Sequence, residues 1–246
     1  MTDLADRLRS IELVVFDKDG TLIDFHGMWG GWAFSLADAL EAAAGSRLRG
    51  ALLRALGVDP RTGVTRARGT LAATPMGRIR ELTVELAREA GLGPAEAEAA
   101  VSAAWEPPDP VALAVPLADL RALLGSLRAG GPAPAGRKIA IATSDDRAPT
   151  ERTIEALGLG DLIDGTACAD DGVPVKPAPD MVLRLCGGLG VLPARTAVIG
   201  DSPSDLRMGR AAGAGLVVGV LSGVGRRRDL APHADVVVPS VAALMV

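Results

Sequence analysis

Two aspartates separated by one residue, Asp17 and Asp19, follow the largely apolar run 11–16 and precede Gly20 and Thr21. The run lacks strict alternation and is rich in Val and Ile, so it predicts a strand buried on both faces of a parallel sheet. Such sheets bind ligands at the carboxyl ends of their strands. Two acids placed there repel each other and lose solvent, which is unfavourable unless a cation or a reaction requires both. A simple turn, which also uses acids before glycine, is the alternative.

Three further segments place polar residues at predicted strand ends or in adjacent loops. They are Thr143-Ser144, Lys176, and Gly200-Asp201-Ser202-Pro203-Ser204-Asp205. Only three of the 26 basic residues are lysines, so Lys176 calls for a reason. The compact ammonium of a lysine suits a crowded phosphate or carboxylate site as a point charge. An exposed loop cation is the alternative for Lys176, and a loop start is the alternative for Thr143.

The segment 200–205 also has a purely structural interpretation. Ser202 is a good N-cap, Pro203 suits the first helical position, and an acid at Asp205 favours the positive end of a helix dipole. Capping therefore explains Asp205 as well as chemistry does. It does not explain Asp201, because that residue ends an apolar strand and cannot also be the cap.

The residue composition and the spacing of apolar residues differ between two parts of the chain. Residues 25–112 are dominated by Ala, Leu, Glu and Arg with apolar residues at helical spacing, which predicts an inserted helical domain. Elsewhere, in residues 1–24 and 113–246, strands alternate with helices, which predicts an α/β fold with a doubly wound parallel sheet. The strands are predicted at 11–16, 138–143, 165–169, 196–200, 216–220 and 236–238. The helices between them are predicted at 117–128, 149–157, 179–186 and 203–212.

Composition limits the classes of function. A formal net charge of -4 argues against a general nucleic-acid binder, which carries a basic face. Apolar stretches are too short to span a bilayer, and the N-terminus has no apolar signal region. Cys168 and Cys186 have no metal-site or redox spacing, so we expect reduced, buried thiols. We therefore expect a cytoplasmic protein without nucleic-acid or membrane partners, and its oligomeric state is left open.

The four polar segments, in this order, resemble the signature of the haloacid dehalogenase superfamily of phosphohydrolases. That signature is an aspartate pair in DxDGT, a strand-end Thr or Ser, a distant Lys, and GDxxxD. Asp17-Lys18-Asp19-Gly20-Thr21, Thr143, Lys176 and the segment 200–205 match all four elements. The resemblance implies a Rossmann-like core, and the insertion after the first motif looks like the helical cap of phosphoglycolate phosphatase and β-phosphoglucomutase relatives.

The resemblance also implies a role for each motif residue. Asp17 would be the nucleophile that forms an aspartyl phosphate, and Asp19 would be the general acid and base. Mg²⁺ would be held by Asp17, the backbone carbonyl of Asp19 and Asp201, because a hard cation prefers oxygen ligands. The phosphate would be bound by Thr143, Ser144 and Lys176. The supporting residues would be Gly20, Thr21, Gly200 and Asp205.

The substrate is expected to be a small phosphorylated metabolite whose remaining part is recognised by the cap. Candidate specificity residues are His26, Trp29, Arg66, Arg68 and Arg78, with cap core as the alternative for the tryptophan and a solvated helix face for the arginines. A phosphomutase and a catalytically silent phosphate-binding protein are the alternatives to a phosphatase. Asp19 argues against a dehalogenase, whose family pattern lacks this acid. No lysine lies within 25–112, so the Schiff-base chemistry of the phosphonate hydrolases is not expected.

Overall fold

The chain divides into two compact units. The structure, a computed structural model, describes residues 4–44, 46–65, 69–74, 76–109, 111–132 and 136–245. Unit 1 comprises Met1–Asp24 and Pro110–Val246, and unit 2 comprises Phe25–Asp109. Within the described ranges, no helix has both the length and the apolarity needed to cross a bilayer.

The secondary structure of the described residues consists of six strands, eleven α-helices and short helical turns. The strands are β1 Leu13–Phe16, β2 Lys138–Ala142, β3 Gly165–Ala167, β4 Thr196–Gly200, β5 Leu216–Val220 and β6 Val236–Val238. The helices are α1 Leu4–Leu8, α2 Gly31–Ala44, α3 Ser46–Leu56, α4 Thr70–Ala73, α5 Met76–Glu89, α6 Pro94–Ala104, α7 Leu120–Ala129, α8 Arg147–Ala156, α9 Asp180–Leu189, α10 Pro203–Ala212 and α11 Arg227–Leu230. A π-helical turn occupies His26–Gly30.

All six strands belong to one parallel sheet in the order β3-β2-β1-β4-β5-β6. The chain builds outward from β1 through β2 to β3, and then returns to the other side of β1 to place β4. The strand order therefore reverses between β1 and β4, and crevices at such switch points are where open α/β sheets bind ligands. Phe16 is in register with both Ile141 and Ile199, so the residues that follow these three strands lie side by side.

Strand β1 is buried on both faces, as its composition predicts. Val14 and Phe16 pack in one apolar cluster with leucines of α7, whereas Leu13 and Val15 pack in another with side chains of α9 and α10. Helices thus cover both faces of the sheet, which excludes solvent from the backbone hydrogen bonds between strands. The predicted doubly wound α/β fold is confirmed.

Several predicted boundaries shift for identifiable reasons. Strands β4, β5 and β6 and helix α10 have the predicted bounds, whereas α7 begins at Leu120 rather than at 117. The cause is Asp119, whose Oδ1 accepts a hydrogen bond from the backbone N–H of Ala122 at 3.0 Å and so caps the helix. Helix α8 begins at Arg147, two residues before the predicted start, because proline is tolerated within a first helical turn.

Unit 2 is helical, with α2 packed against α3 and α5 against α6. All three tryptophans of the chain lie in this unit and contact one another edge to face. Ring centroids of Trp29 and Trp32 are 5.8 Å apart, and those of Trp32 and Trp105 are 5.3 Å apart. Such contacts stabilise aromatic cores beyond the effect of buried area.

The two chain segments that flank unit 2 pair with each other inside unit 1. The N–H of Asp24 donates to the carbonyl of Val115 at 2.8 Å, and the N–H of Leu117 donates to the carbonyl of Leu22 at 2.9 Å. Ile23 and Pro116 form an antiparallel bridge between these contacts. The strand that leaves unit 1 is therefore held beside the strand that returns to it.

Candidate active site

The aspartate pair lies where β1 leaves the sheet and enters a tight turn. The N–H of Asp17 still donates to the carbonyl of Ile199 at 2.8 Å, so this residue is fixed by the strand pairing. Gly20 then adopts a positive φ of +87°, and a Cβ there would lie 2.7 Å from Oδ2 of Asp201. Glycine is thus required both by the backbone conformation and by the close approach of β4's terminal acid.

Lys176 forms ion pairs with Asp17 of the first predicted motif and with Asp205 of the last. Its Nζ lies 2.5 Å from Oδ1 of Asp17 and 2.7 Å from Oδ1 of Asp205. The lysine side chain is only 4% exposed, so it is not a solvated loop cation. A buried ammonium is stable only with carboxylate partners, and here it has two.

Asp205 combines capping with this ion pair. Its Oδ2 accepts hydrogen bonds from the backbone N–H and the hydroxyl of Ser202, at 3.0 and 2.7 Å. The N–H of Asp205 in turn donates to the Ser202 hydroxyl at 3.3 Å. The two interpretations of Asp205 are therefore compatible, because one oxygen serves the capping box and the other binds Lys176. Gly200 makes room for it, since a Cβ at Gly200 would lie 2.3 Å from the Asp205 Cβ.

Asp201 directly follows β4, lies beside Asp17 and is buried. Its Oδ2 accepts a hydrogen bond from the N–H of Val224 at 2.7 Å. Oxygen atoms of Asp17, Asp201 and Asp205 all lie within 4.8 Å of one another. Three buried carboxylates thus face one lysine, which leaves excess negative charge at the centre of the cluster.

Burial and the repulsion between these charges raise the pKa of two of the three acids, Asp17 and Asp201. Burial, together with the charge of Asp205, raises the pKa of Asp17 from 3.8 to about 6 despite the neighbouring Lys176. Burial and the charges of Asp17 and Asp205 raise the pKa of Asp201 well above its ordinary value. For Lys176, burial works toward a lower pKa, but Asp17 and Asp205 outweigh it and raise the pKa. A divalent cation bound among the three acids would offset the repulsion between their negative charges. The all-oxygen donor set suits a hard cation.

Thr143 and Ser144, the predicted phosphate-binding pair, differ in their exposure to solvent. Thr143 is buried; its N–H donates to the carbonyl of Ala167 at 2.9 Å and its hydroxyl accepts from the N–H of Asp145 at 3.1 Å. Ser144 is exposed. Thr21 is fully buried, and its hydroxyl has no hydrogen-bond partner among the described residues. The roles of these three residues in phosphate binding or support remain predictions.

The sequence interpretation leaves Lys18, between the two aspartates, as a structural residue. An extended backbone would turn this side chain away from the aspartates, but its Nζ returns to Asp19, at 2.8 Å from Oδ1 and 2.7 Å from Oδ2. It also lies 3.0 Å from Oδ2 of Asp145 and is 2% exposed. The scarcity of lysine that pointed to Lys176 applies equally to Lys18, and this signal could have identified it.

The loop after β5 is a second feature that sequence reasoning missed. Besides Val224, it contributes Ser222, whose hydroxyl donates to the carbonyl of Gly20 at 2.8 Å. A Cβ at Gly223 would lie 2.0 Å from Oδ2 of Asp201. A glycine-rich turn directly after a buried strand at this edge of the sheet was the available signal.

Three of the predicted specificity residues, His26, Trp29 and Arg78, are described and lie in unit 2. Nδ1 of His26 accepts a hydrogen bond from the N–H of Thr65 at 3.4 Å, and Trp29 is buried in the aromatic cluster. Arg78 is exposed, and its guanidinium pairs with Glu81 at 2.8 Å and with Glu85 at 3.2 Å. Arg66 and Arg68 lie outside the described residues. A contact of any of these with substrate remains a prediction.

Comparison with known proteins gives this geometry a family. A model of the haloacid dehalogenase-like hydrolases matches residues 11–213. The chain belongs to this family. It is 32% identical to the phosphoglycolate phosphatase of Rhodospirillum rubrum over 210 residues, which are 83% of this chain and 78% of that protein. It is 34% identical to a β-phosphoglucomutase of Mycobacterium bovis over 119 residues, 45% of this chain and 44% of that one.

Solved structures agree with the fold. The crystal structure of a predicted phosphoglycolate phosphatase from Haemophilus somnus superimposes with a TM-score of 0.66 at 18% identity, covering 96% of this chain and 97% of that chain. Together these similarities confirm the predicted superfamily, with its phosphoglycolate phosphatase and β-phosphoglucomutase-like subgroup, and the predicted class of enzyme, a phosphatase.

Proposed function

We propose that this chain is a Mg²⁺-dependent hydrolase of small phosphate monoesters that works through an aspartyl phosphate on Asp17. The observation that carries the proposal is the buried cluster at the switch point of the sheet, in which Lys176 bridges Asp17 and Asp205 while Asp201 adds a third carboxylate. Phosphate monoesters are anionic and react extremely slowly in water. A catalyst must therefore supply both positive charge and an in-line nucleophile.

Asp17 and Asp201, with the backbone carbonyl of Asp19, would hold the cation. Bound Mg²⁺ supplies charge neutralisation for the phosphoryl oxygens. The raised pKa values of Asp17 and Asp201 support this assignment, because carboxylates that resist ionisation without a cation gain most from binding one.

Asp17 is the nucleophile in this proposal. One of its carboxylate oxygens attacks phosphorus while the bond between phosphorus and the ester oxygen breaks, and Asp19 gives its proton to the departing oxygen. A water molecule then attacks the phosphorus of the aspartyl phosphate. Asp19 takes the proton of that water, inorganic phosphate leaves, and the Asp17 carboxylate is restored. Two easier displacements replace one difficult one.

Lys176 holds the nucleophile in place and offsets charge. Its contact with Oδ1 of Asp17 fixes the rotamer of the attacking carboxylate, and its ammonium lies where a phosphoryl group on Asp17 would develop negative charge. Thr143 and Ser144 are assigned to phosphate oxygens, because they directly follow β2, the strand that pairs with β1.

We further propose that unit 2, Phe25–Asp109, is the cap that recognises the part of the substrate beyond the phosphate. The similarity to a phosphoglycolate phosphatase supports a small phosphorylated metabolite as substrate. Such a substrate, and two cysteines that are both free and buried, fit a protein of the reducing cytoplasm.

The test is release of inorganic phosphate from a panel of phosphate monoesters, with and without Mg²⁺. We expect Mg²⁺-dependent turnover by the wild type and none by Asp17→Asn, which keeps the shape of the side chain but not its charge. Trapping of ³²P on the wild-type chain, acid-stable and absent from Asp17→Asn, would report the covalent intermediate. A folded wild type without turnover of any ester would refute the proposal and favour a silent phosphate-binding protein.

Phosphomutase activity is the second candidate, because the chain is also similar to a β-phosphoglucomutase. A mutase shares the nucleophile and the acid–base residue but protects its aspartyl phosphate from water. Conversion of β-glucose 1-phosphate to the 6-phosphate faster than phosphate is released from either sugar would decide for this candidate.

A further inference from the structure

Lys18 is the middle residue of the first motif, and its ammonium is wholly buried between two carboxylates. It contacts both oxygens of Asp19, at 2.8 and 2.7 Å, and Oδ2 of Asp145 at 3.0 Å. The side chain of Lys18 is 2% exposed, whereas that of Asp19 is 14% exposed. The lysine is therefore sealed within the protein, while the acid it holds still reaches solvent.

Asp145 is itself firmly held. Its N–H donates to the Thr143 hydroxyl at 3.1 Å, and its carbonyl accepts a hydrogen bond from the N–H of Ala169 at 2.9 Å. Asp145 is thus held at the carboxyl ends of β2 and β3. Through its contact with Lys18, it also fixes the position of the Asp19 side chain in the turn after β1.

The two-oxygen contact has a geometric consequence for Asp19. A single hydrogen bond leaves a carboxylate free to rotate, but an ammonium that contacts both oxygens restricts the direction of the carboxyl plane. Because the ammonium is buried, leaving either carboxylate would cost it a charge partner in a desolvated site. Proton transfer requires its donor within hydrogen-bond reach of the reacting oxygen, and small displacements are costly.

We propose that Lys18, anchored by Asp145, is a positioning residue that orients the Asp19 carboxyl toward the leaving oxygen of the substrate. This inference rests on the proposed function, in which Asp19 delivers that proton. It assigns Lys18 no contact with substrate. It also gives Asp145 a role, although that residue belongs to none of the family motifs.

The test compares two substrates of similar shape that differ in their need for a proton. Benzyl phosphate loses an alkoxide, which must be protonated as it leaves, whereas 4-nitrophenyl phosphate loses a phenolate that departs without help. For Lys18→Met we expect kcat/KM for benzyl phosphate to fall by about 10²-fold, the usual scale of general acid catalysis, and that for 4-nitrophenyl phosphate by less than about 10-fold. The value of kcat should fall for both, because both share the hydrolysis of one aspartyl phosphate.

Asp145→Asn is the milder variant, because it keeps Lys18 and removes only its anchor. It should give the same leaving-group pattern at smaller amplitude, and the double variant should lose less than the two single losses combined. Lys138→Met is the matched control: Lys138 is the remaining lysine of the chain, and its Nζ donates to the carbonyl of Leu189. It should leave the ratio of the two kcat/KM values unchanged.

Three outcomes are informative. Equal losses of kcat/KM on both substrates in Lys18→Met and in Asp145→Asn would overturn the inference in favour of a purely structural ion pair, while leaving the phosphatase proposal intact. Unchanged kinetics in both variants would also overturn the inference alone. A folded wild type without turnover of these two esters or of any other ester of the panel, at any Mg²⁺ concentration, would overturn the proposed function together with the inference.

Discussion

In the metal-free protein, the ionised Asp17 should lower the stability of the folded state. Its pKa is raised from 3.8 to about 6, so the folded protein binds its proton more tightly than the unfolded chain does. The stability that comes from this tighter binding is fully present below pH 3.8 and is lost as the pH rises through about 6. The difference between the two pKa values corresponds to about 3 kcal/mol at neutral pH, and about half of this is already lost at pH 5.

Asp17→Asn removes the titrating group and retains the shape of the side chain. Urea unfolding in EDTA at about pH 5 and about pH 7 should therefore show wild-type stability falling by roughly 1 kcal/mol more than that of the variant. All other titratable groups are common to both proteins, so the difference between the proteins reports the titration of Asp17 together with its effect on the adjoining Asp201. Mg²⁺ should reverse the trend for the wild type, because it binds the ionised carboxylates and stabilises by mass action more strongly at the higher pH.

The refuting result is simple to recognise. If wild type and variant lose the same stability between these pH values without metal, Asp17 is not held in an unfavourable ionised state. If Mg²⁺ stabilises both proteins equally and at both pH values, the cation does not bind at the acid cluster, and the electrostatic basis for the metal assignment is wrong.

Three further substitutions test separate contacts. Lys176→Met should reduce kcat by about 10²-fold or more and destabilise the fold by roughly 3–5 kcal/mol, since it leaves buried carboxylates unpaired; activity near wild type in a phosphate-release assay would refute the bridging role. Ser202→Ala should cost about 1 kcal/mol through loss of the N-cap, measured by urea unfolding, and an unchanged midpoint would contradict it. Gly223→Ala should weaken Mg²⁺ binding in calorimetry, because its Cβ would lie 2.0 Å from Oδ2 of Asp201, whereas Gly187→Ala, with no atom within 4 Å of its Cβ, should not; equal affinities would count against this steric argument.

The sequence predicted the fold because its local patterns agree with one another. The bounds of β4, β5 and β6 followed from short apolar runs, and the start of α10 followed from the N-cap at Ser202 and from Pro203 at the first helical position. Boundaries shifted where one polar contact decided them, as at Asp119, because a side-chain cap depends on local geometry that periodicity does not contain. The parallel strand order made the meeting of Asp17 with Asp201 predictable, since their strands end at the same edge.

The contacts made by long side chains were less predictable. Lys18 and Asp19 are neighbours in the chain, and an extended backbone would separate their side chains. The backbone turns at this point instead, with the carbonyl of Lys18 accepting a hydrogen bond from the N–H of Leu22 at 2.8 Å, and the two side chains meet. Val224 and Gly223 reach Asp201 from a loop more than 20 residues further along. Such partners depend on tertiary packing, which is why composition and spacing identified the acids of the site and Lys176 but not Lys18, Gly223 or Val224.

The pairing of the two segments that flank unit 2 determines which changes of length and sequence the inserted segment can undergo. Because the N–H of Asp24 and the carbonyl of Val115 are joined by a hydrogen bond, the segment inserted between these two residues begins and ends at nearly the same point in space. An insertion with adjacent ends adds little closure entropy to the folding of its host. Residues between these two points can therefore be exchanged, lengthened or shortened to a tight turn without drawing the strands of the sheet apart. The aspartate–lysine cluster of unit 1 and the helical insertion can therefore vary independently of each other in sequence and length.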